Sequence, residues 1–377
     1  MGVLGRTMLG AWSGGRFMNF GIPLEDERLI ALLRPDEKIP TVLTADAYGA
    51  GKADEIVGRA IDGLPRDQFS LVGAIGHDFY LGEREGSKGF PRFTDPRLRG
   101  PEQYRDYLFM ACEKSLERCG VNHFDLLLLH NPDRRGYTDD RVWRSLADLR
   151  DEGMCQAVGV APGPANGFTL DVIGCVERYG DLIDWAMVIL NPFERWPGHL
   201  VLPACEEQDV SVIARVVDYG GVFHDDVPDE DALYEKDHRA HRPAGWVEEG
   251  RRRLEGIRHI GDAHGLTPLQ LACQWTLAQP AVEAVVPTLI QEPGDDAKPV
   301  EQKRAELSGT PAEILLTESE LREIAEIGDN VGCMALKGGS PDNDGAEYAD
   351  SWPIEADLER VAERWSLVPA KDLAKTH

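Results

Sequence analysis

Eight short segments rich in apolar and β-branched residues recur along the chain, and stretches with helical periodicity separate them. The apolar segments lie at 7–12, 41–46, 69–75, 125–129, 156–161, 185–190, 211–216 and 283–288. Between them, helical spacing of apolar residues covers 53–62, 102–119, 139–152, 168–179, 199–208 and 246–278. Alternating strands and helices favour a parallel sheet, and eight such units can close on themselves. The pattern therefore predicts an α/β protein with a (β/α)8 TIM barrel.

Two connections are much longer than the usual link between a strand and a helix. Residues 77–101 follow the third predicted strand, and residues 218–245 follow the seventh. Both leave the C-terminal face of the barrel, so we expect them to overhang any site on that face. Since no break in composition occurs earlier, we predict one barrel domain over 1–327. A C-terminal extension over 328–377 should pack on or near it.

Composition narrows the possible partners and the compartment. Forty basic and 66 acidic residues give a net charge of −26, which repels nucleic acid and anionic membrane surfaces. No run of 18 apolar residues could form a membrane-spanning helix. The seven cysteines have no CxxC spacing, and the first residues do not resemble a secretory signal. We expect a cytoplasmic protein that binds a small molecule, and its oligomeric state stays open.

Ionisable side chains follow several of the predicted strands. Asp46 and Tyr48 follow the second strand, His77 the third and His130 the fourth. The C-terminal ends of barrel strands meet on one face, where TIM-barrel enzymes carry their active sites. Asp, Tyr and His side chains that converge there can transfer protons. His77 has two interpretations, as a general base or as an anchor for the long loop that it begins.

Several motifs appear in an order and spacing that resemble the aldo-keto reductase family over about residues 5–327. They are Leu9-Gly10-Ala11-Trp12, Asp46-Ala47-Tyr48-Gly49, Phe124-Asp125 through His130-Asn131-Pro132, Leu190-Asn191-Pro192, and Gln274-Trp275 followed by Val285-Val286-Pro287. Each motif is weak alone, but their shared order is specific.

The resemblance implies NAD(P)H-dependent carbonyl reduction by a Tyr, Lys, Asp and His tetrad. By position, Tyr48 would be the general acid/base, Asp46 its support and His130 the group that orients the substrate oxygen. The cofactor, NAD or NADP, would contact Trp12, Asn191, Arg215 and Thr288. A phenol with a pKa near 10 needs a neighbouring charge to act at neutral pH, which is the role of the lysine.

The chain departs from that family at the lysine and at several cofactor contacts. Gly73 or Ala74 stands where the lysine is expected at the end of the third strand. Ala161-Pro162 and Met187 replace a Ser-Asn pair and a Gln that hold the nicotinamide carboxamide. Where the family has basic residues for the adenosine phosphate, residues 291–296 are acidic instead. The chain is therefore expected to be a divergent member without the catalytic lysine.

Three functions remain open. The first is an oxidoreductase that acts on a polar, sugar-like carbonyl or alcohol, with His77 or Arg215 replacing the lysine charge. The second is a lyase, isomerase or hydrolase that kept the acid/base residues and uses no nicotinamide, in which a buried Asp46 with a raised pKa could act as base. The third is a binding module. A metal site built from His224-Asp225-Asp226 with His77, Asp78 and His130 is a weaker hypothesis, because these residues lack the spacing of zinc motifs.

Overall fold

The computed structural model describes residues 4–85, 89–163, 168–242, 244–328, 347–348 and 354–375. Eight parallel strands form one sheet in sequence order. They are β1 Met8–Gly10, β2 Thr41–Leu43, β3 Ser70–Ile75, β4 Phe124–His130, β5 Cys155–Ala161, β6 Trp185–Ile189, β7 Ser211–Arg215 and β8 Val282–Val286. A parallel bridge between Thr7 and Val285 joins the first strand to the last. The predicted TIM barrel is confirmed.

Strand alternation separates the barrel interior from the layer beneath the helices. Leu43, Val72, Ala74 and Leu128 belong to a buried cluster with other inward-facing side chains of the barrel. Their sequence neighbours, such as Leu71 and Leu127, belong to the outer core that packs under the helices. The face to which a strand residue points therefore decides whether it can reach the barrel mouth.

Helices surround the barrel in the predicted places. They are α1 Asp26–Leu33, α2 Lys52–Ile61, α3 Tyr104–Cys119, α4 Arg134–Thr138, α5 Asp140–Asp151, α6 Thr169–Tyr179, α7 Leu202–Glu207, α8 Trp246–His264, α9 Pro268–Leu277, α10 Val300–Ser308 and α11 Glu318–Ile327. The helical pattern over 246–278 belongs to two helices, since Gly265 ends α8 at φ 66° and Thr267 caps α9. Helix α1 was not predicted.

The C-terminal extension packs against the outside of the barrel. It contains α12 Ala356–Arg364, α13 Pro369–Asp372 and a two-residue antiparallel pair, β9 Glu347–Tyr348 with β10 Ala374–Lys375. Leu358 of α12 is buried, and the Trp365 indole donates to Glu177 of α6 at 2.9 Å. Trp352 and Cys333, singled out from the sequence, lie outside the described residues. Among the helices described, none is long and apolar enough to cross a membrane.

Candidate active site

The mouth of the barrel brings Tyr48, His130 and Trp12 together. The Tyr48 and His130 rings meet edge to face with centroids 5.6 Å apart, and Trp12 meets Tyr48 in the same way at 6.4 Å. Tyr48 remains partly exposed, whereas His130 is buried. Three side chains from the ends of β1, β2 and β4 thus form one wall of an accessible mouth.

A tight turn between β2 and α2 places Tyr48 there. The Tyr48 N–H donates to the Ala45 carbonyl at 3.0 Å, and the Tyr48 carbonyl accepts from Ala53 at 3.2 Å. Gly51 has a φ of 94°, which L side chains rarely adopt, and an added Cβ would lie 2.8 Å from the Arg118 Nε. The turn therefore requires glycine at this position.

Arg215 supplies positive charge to the mouth. Its Nη2 donates to the carbonyls of Pro162 and Gly163 at 3.3 and 3.2 Å, and its buried Nε has no partner among the described residues. Burial raises the pKa of Tyr48 above its ordinary value, and the Arg215 charge opposes that rise. The Arg215 charge therefore favours the ionised form of Tyr48, although the effect of burial is larger.

The structure shows which residue of β3 points into the barrel where the family resemblance leads us to expect a lysine. Ala74 belongs to the barrel interior, whereas a Cβ added at Gly73 would meet the Phe124 ring of the outer core at 2.7 Å. Ala74 is therefore the inward residue near the end of β3. A methyl group there cannot donate a proton or carry charge to Tyr48.

His77 anchors the long loop after β3. Its Nδ1 lies 3.0 Å from the Phe90 carbonyl, and its Nε2 lies 3.1 Å from the Asn131 side-chain nitrogen. The Arg92 Nη1 also lies 3.1 Å from the His77 Nδ1, so three groups of the protein contact the two ring nitrogens. Burial, followed by the Arg92 charge, lowers the pKa of His77 to about 3, so the ring stays neutral. Both nitrogens are occupied, which favours the anchoring interpretation over the general base.

His130 differs from His77 in having an unsatisfied nitrogen. Its Nδ1 is buried and has no partner within the described part of the chain. Burial lowers the pKa of His130 well below its usual value, and the nearby His77, Arg92 and Arg215 lower it further. A neutral imidazole with a free nitrogen can hold a substrate oxygen by a hydrogen bond.

The structure does not place Asp46 with Tyr48 and His130. Leu43 and Ala45 face the barrel interior, so Asp46 points outward, beneath the helices. Asp46 is fully buried, neither carboxyl oxygen has a partner in the described residues, and its charge acts on Tyr80, Tyr107 and Cys112. The sequence prediction assumed that Asp46 and Tyr48 share a face. The turn at 45–48 breaks the alternation, so they do not.

Burial raises the pKa of the Asp46 carboxyl well above its ordinary value, and the Asp54 charge adds to the rise. We expect Asp46→Asn to stabilise the protein increasingly as the pH rises. A group with a raised folded pKa contributes fully below its unfolded pKa of about 3.9, and that contribution is lost as the pH rises through the folded pKa. Urea unfolding from about pH 4 to pH 8 would measure this difference. Lower stability of the variant at every pH would mean that the carboxyl makes a required bond.

The side chains expected to contact a cofactor are largely occupied by internal bonds. The Trp12 indole donates to the Thr288 hydroxyl at 3.2 Å. The Asn191 side chain donates to the Val216 carbonyl at 3.0 Å and accepts from the Phe193 N–H at 2.9 Å. Of the four predicted contacts, Arg215 and the hydroxyl of Thr288 keep donors that no hydrogen bond among the described residues uses.

The Asp218 carboxylate accepts hydrogen bonds from backbone N–H groups that could otherwise bind a phosphate. Its carboxylate accepts from the Gly221 N–H at 3.0 Å and from the Thr288 N–H at 2.6 Å, just after β7 and β8. Phosphates bind where backbone N–H groups and positive charge converge. A buried carboxylate at the same N–H groups opposes phosphate binding. The sequence offered only a tight turn at this residue, because its partner Thr288 is far along the chain.

Charged residues of the segment after β8 form ion pairs with other residues of the protein. Arg239 bridges Asp237 and Glu292 with all three side chains fully buried, and Lys303 pairs with Asp226 at 2.7 Å. Asp295 and Asp296 line a cleft of about 910 Å³, whose Arg251 and Arg258 pair with Asp229 and Asp225. Among the described residues, these ion pairs leave no free cation of this segment for the adenosine phosphate, and Ala161, Pro162 and Met187 cannot hold the carboxamide as the family residues would. The described residues therefore do not fit a nicotinamide dinucleotide held by the contacts that the family resemblance implies.

The proposed metal ligands do not cluster. The His224 ring lies 2.8 Å from the Thr288 carbonyl, while His77 is held by Phe90 and Asn131. Within the described residues, no group of three His, Cys, Asp or Glu side chains could hold a metal ion.

Comparison with known proteins places this site in a family. The Aldo/keto reductase family profile matches residues 39–293. The chain is 26% identical over 330 residues to "Probable aldo-keto reductase 1" of Glycine max, covering 84% of this chain and 83% of that protein.

Solved structures share the fold. A glycerol dehydrogenase from Gluconobacter oxydans superposes with a TM-score of 0.63 at 23% identity, covering 86% of this chain and 91% of the other. An aldo/keto reductase from Klebsiella pneumoniae, in complex with NADP and acetate, has a TM-score of 0.56 at 22% identity and covers 87% and 93%. Since the profile matches more than half of the chain, this protein belongs to the aldo/keto reductase family of oxidoreductases.

Proposed function

We propose that the barrel mouth is an acid–base active site for a small polar carbonyl or hydroxy compound, and that it works without a nicotinamide. One observation carries this proposal. Tyr48 packs against His130 as in a proton-transfer site, while the inward position on β3 is Ala74 and the charge that acts on Tyr48 comes from Arg215.

The available groups suit a lyase or an isomerase. Tyr48, whose phenolate Arg215 stabilises in part against the effect of burial, would remove a proton from a carbon beside a carbonyl or carboxyl group and return it at a neighbouring atom. His130 would hold the oxygen that gains negative charge, because its buried Nδ1 has no hydrogen-bond partner among the described residues and its ring packs against Tyr48. Asp46 would have no contact with the substrate in this reaction, since it points away from the barrel interior.

A nicotinamide-dependent oxidoreductase is the second candidate, favoured by family membership and by the polyol substrate named for the Gluconobacter oxydans relative. In that reaction Tyr48 would exchange a proton with the oxygen of a sugar-like carbonyl or alcohol. Arg215 would replace the lysine charge. NAD or NADP would then have to be held by contacts other than those of the family.

Titration with NADH and NADPH separates the two candidates. The acid–base proposal predicts no saturable quenching of tryptophan fluorescence up to about 1 mM of either nucleotide, the upper end of usual KM values. It also predicts turnover by extensively dialysed protein. Saturable quenching that Trp12→Phe removes, together with turnover that requires added nucleotide, would favour the oxidoreductase.

A further inference from the structure

Two arginines near the barrel mouth have no carboxylate partner. Arg92, in the loop after β3, donates from Nε to the Asn131 carbonyl and from Nη1 to the Phe90 carbonyl. Arg215, at the end of β7, donates to the carbonyls of Pro162 and Gly163. Neither guanidinium lies within ion-pair distance of an acidic group among the described residues.

Three buried arginines of this chain are paired with carboxylates, whereas Arg92 and Arg215 are partly buried and form no ion pair among the described residues. Arg99 pairs with Asp78, Arg239 with Asp237 and Glu292, and Arg253 with Glu249. With 66 acidic residues and a net charge of −26, carboxylates are abundant in this protein. A buried cation without a counter-ion is costly, because the desolvation of its charge is not compensated. Burial lowers the pKa of both Arg92 and Arg215, and the more distant charges of Asp133 and Glu194 oppose this effect only in part.

Both cations lie beside the proposed reaction centre. The charges of Arg92 and Arg215 both act on His130, and the Arg215 charge also acts on Tyr48. The Nη2 of Arg92 and the Nε and Nη1 of Arg215 have no hydrogen-bond partner within the described part of the chain. Guanidinium N–H groups are suited to bind the oxygen atoms of carboxylates and phosphates.

We infer that the substrate carries an oxyanion, a carboxylate or a phosphate, which Arg92 and Arg215 bind at the barrel mouth. This inference rests on the proposed acid–base function and names its substrate class. The neutral His77 and His130 rings add no charge of their own, so the two arginines supply the positive charge of the site. A carboxylate neutralised in this way also makes the adjacent C–H easier to deprotonate, which suits a tyrosine base.

Three matched probes test the inference: D-glycerate, glycerol 3-phosphate and glycerol, titrated by calorimetry at constant ionic strength. We expect saturable binding of at least one of the two anions, and binding of glycerol at least about tenfold weaker. The anion that binds more tightly then indicates whether the substrate carries a carboxylate or a phosphate. Saturable binding of neither anion, or equal binding of all three probes, would overturn the inference.

Variants with matched charge changes locate the site. Arg92→Gln and Arg215→Gln should each weaken anion binding at least about tenfold while leaving the glycerol titration unchanged. Arg34→Gln removes a cation that is bonded only to backbone carbonyls of Ala60 and Asp62, away from the mouth, and should bind like the wild type. Equal losses of anion affinity in all three folded variants would contradict the assignment of the binding site to Arg92 and Arg215.

Tyr48→Phe separates this inference from the proposed function. The variant should bind the anion like the wild type but lose turnover. Anion binding with turnover that does not depend on Tyr48 would refute the proposed function alone. Tyr48-dependent turnover of neutral compounds, without anion binding, would refute this inference alone.

Discussion

Tyr48→Phe is expected to lower turnover by dialysed, nucleotide-free protein by about 10²–10⁴-fold, the usual contribution of a positioned acid or base. The phenol hydroxyl is the proton-transfer group that the structure places against His130 and under the influence of Arg215. Phe keeps the ring, so the edge-to-face contacts with Trp12 and His130 should persist. The measurement is steady-state turnover, with thermal unfolding recorded on the same samples.

Tyr234→Phe is the matched control for this substitution. Tyr234 lies in the long loop after β7 and is 38% exposed, so loss of its hydroxyl should leave turnover unchanged. If Tyr48→Phe kept wild-type turnover while both variants stayed folded, the acid–base role of Tyr48 would be refuted. An equal loss in both variants would point to a general effect on the fold.

Arg239→Ala is expected to destabilise the protein by about 3–5 kcal/mol, the usual cost of breaking a buried ion pair from one side. Arg239 donates to Asp237 at 2.7 Å and to Glu292 at 2.6 Å, and it also donates to the Gly220 carbonyl at 2.9 Å. Its removal would leave two fully buried carboxylates without a cation. The loss should appear as a lower midpoint in urea unfolding.

Arg252→Ala provides the contrast for this prediction. Arg252 pairs with Glu249 at 2.7 Å, but 69% of its side chain is exposed. Water screens such surface pairs, so its removal should cause no measurable change in the unfolding midpoint. A similar loss in both variants, or in neither, would show that burial does not set the strength of the Arg239 pairs.

The Arg239 cluster also bears on the choice between the two candidate functions. It joins the long loop after β7 to the segment after β8, next to the N–H groups that Asp218 already occupies. A dinucleotide on that path would have to displace buried, mutually satisfied charges. The acid–base proposal requires no such rearrangement, because its substrate needs only the barrel mouth.

The sequence was sufficient for the barrel and for two of the site residues. Apolar periodicity reports burial, and the spacing of strand and helix signals allows few other arrangements. Tyr48 and His130 follow strands whose ends must meet on one face of a TIM barrel, so their convergence could be predicted.

Side-chain direction and pairing could be decided only by the tertiary structure. Asp46 and Tyr48 are two residues apart, yet one points outward and the other to the mouth because a tight turn follows β2. The role of His77 depended on Phe90 and Asn131, which lie 13 and 54 residues away.

The sequence alone therefore determined the barrel, through its eight alternating strand and helix signals. It also determined the face that carries the candidate active site, because the polar residues follow the strand ends. The tertiary structure alone decided that Ala74 is the inward residue on β3 and that Arg215 acts on Tyr48. It also decided that Arg92 and Arg215 form no ion pair with an acidic group among the described residues. The physical reason is that periodicity records whether a residue is buried, whereas charge pairing depends on contacts between loops that are distant in the chain.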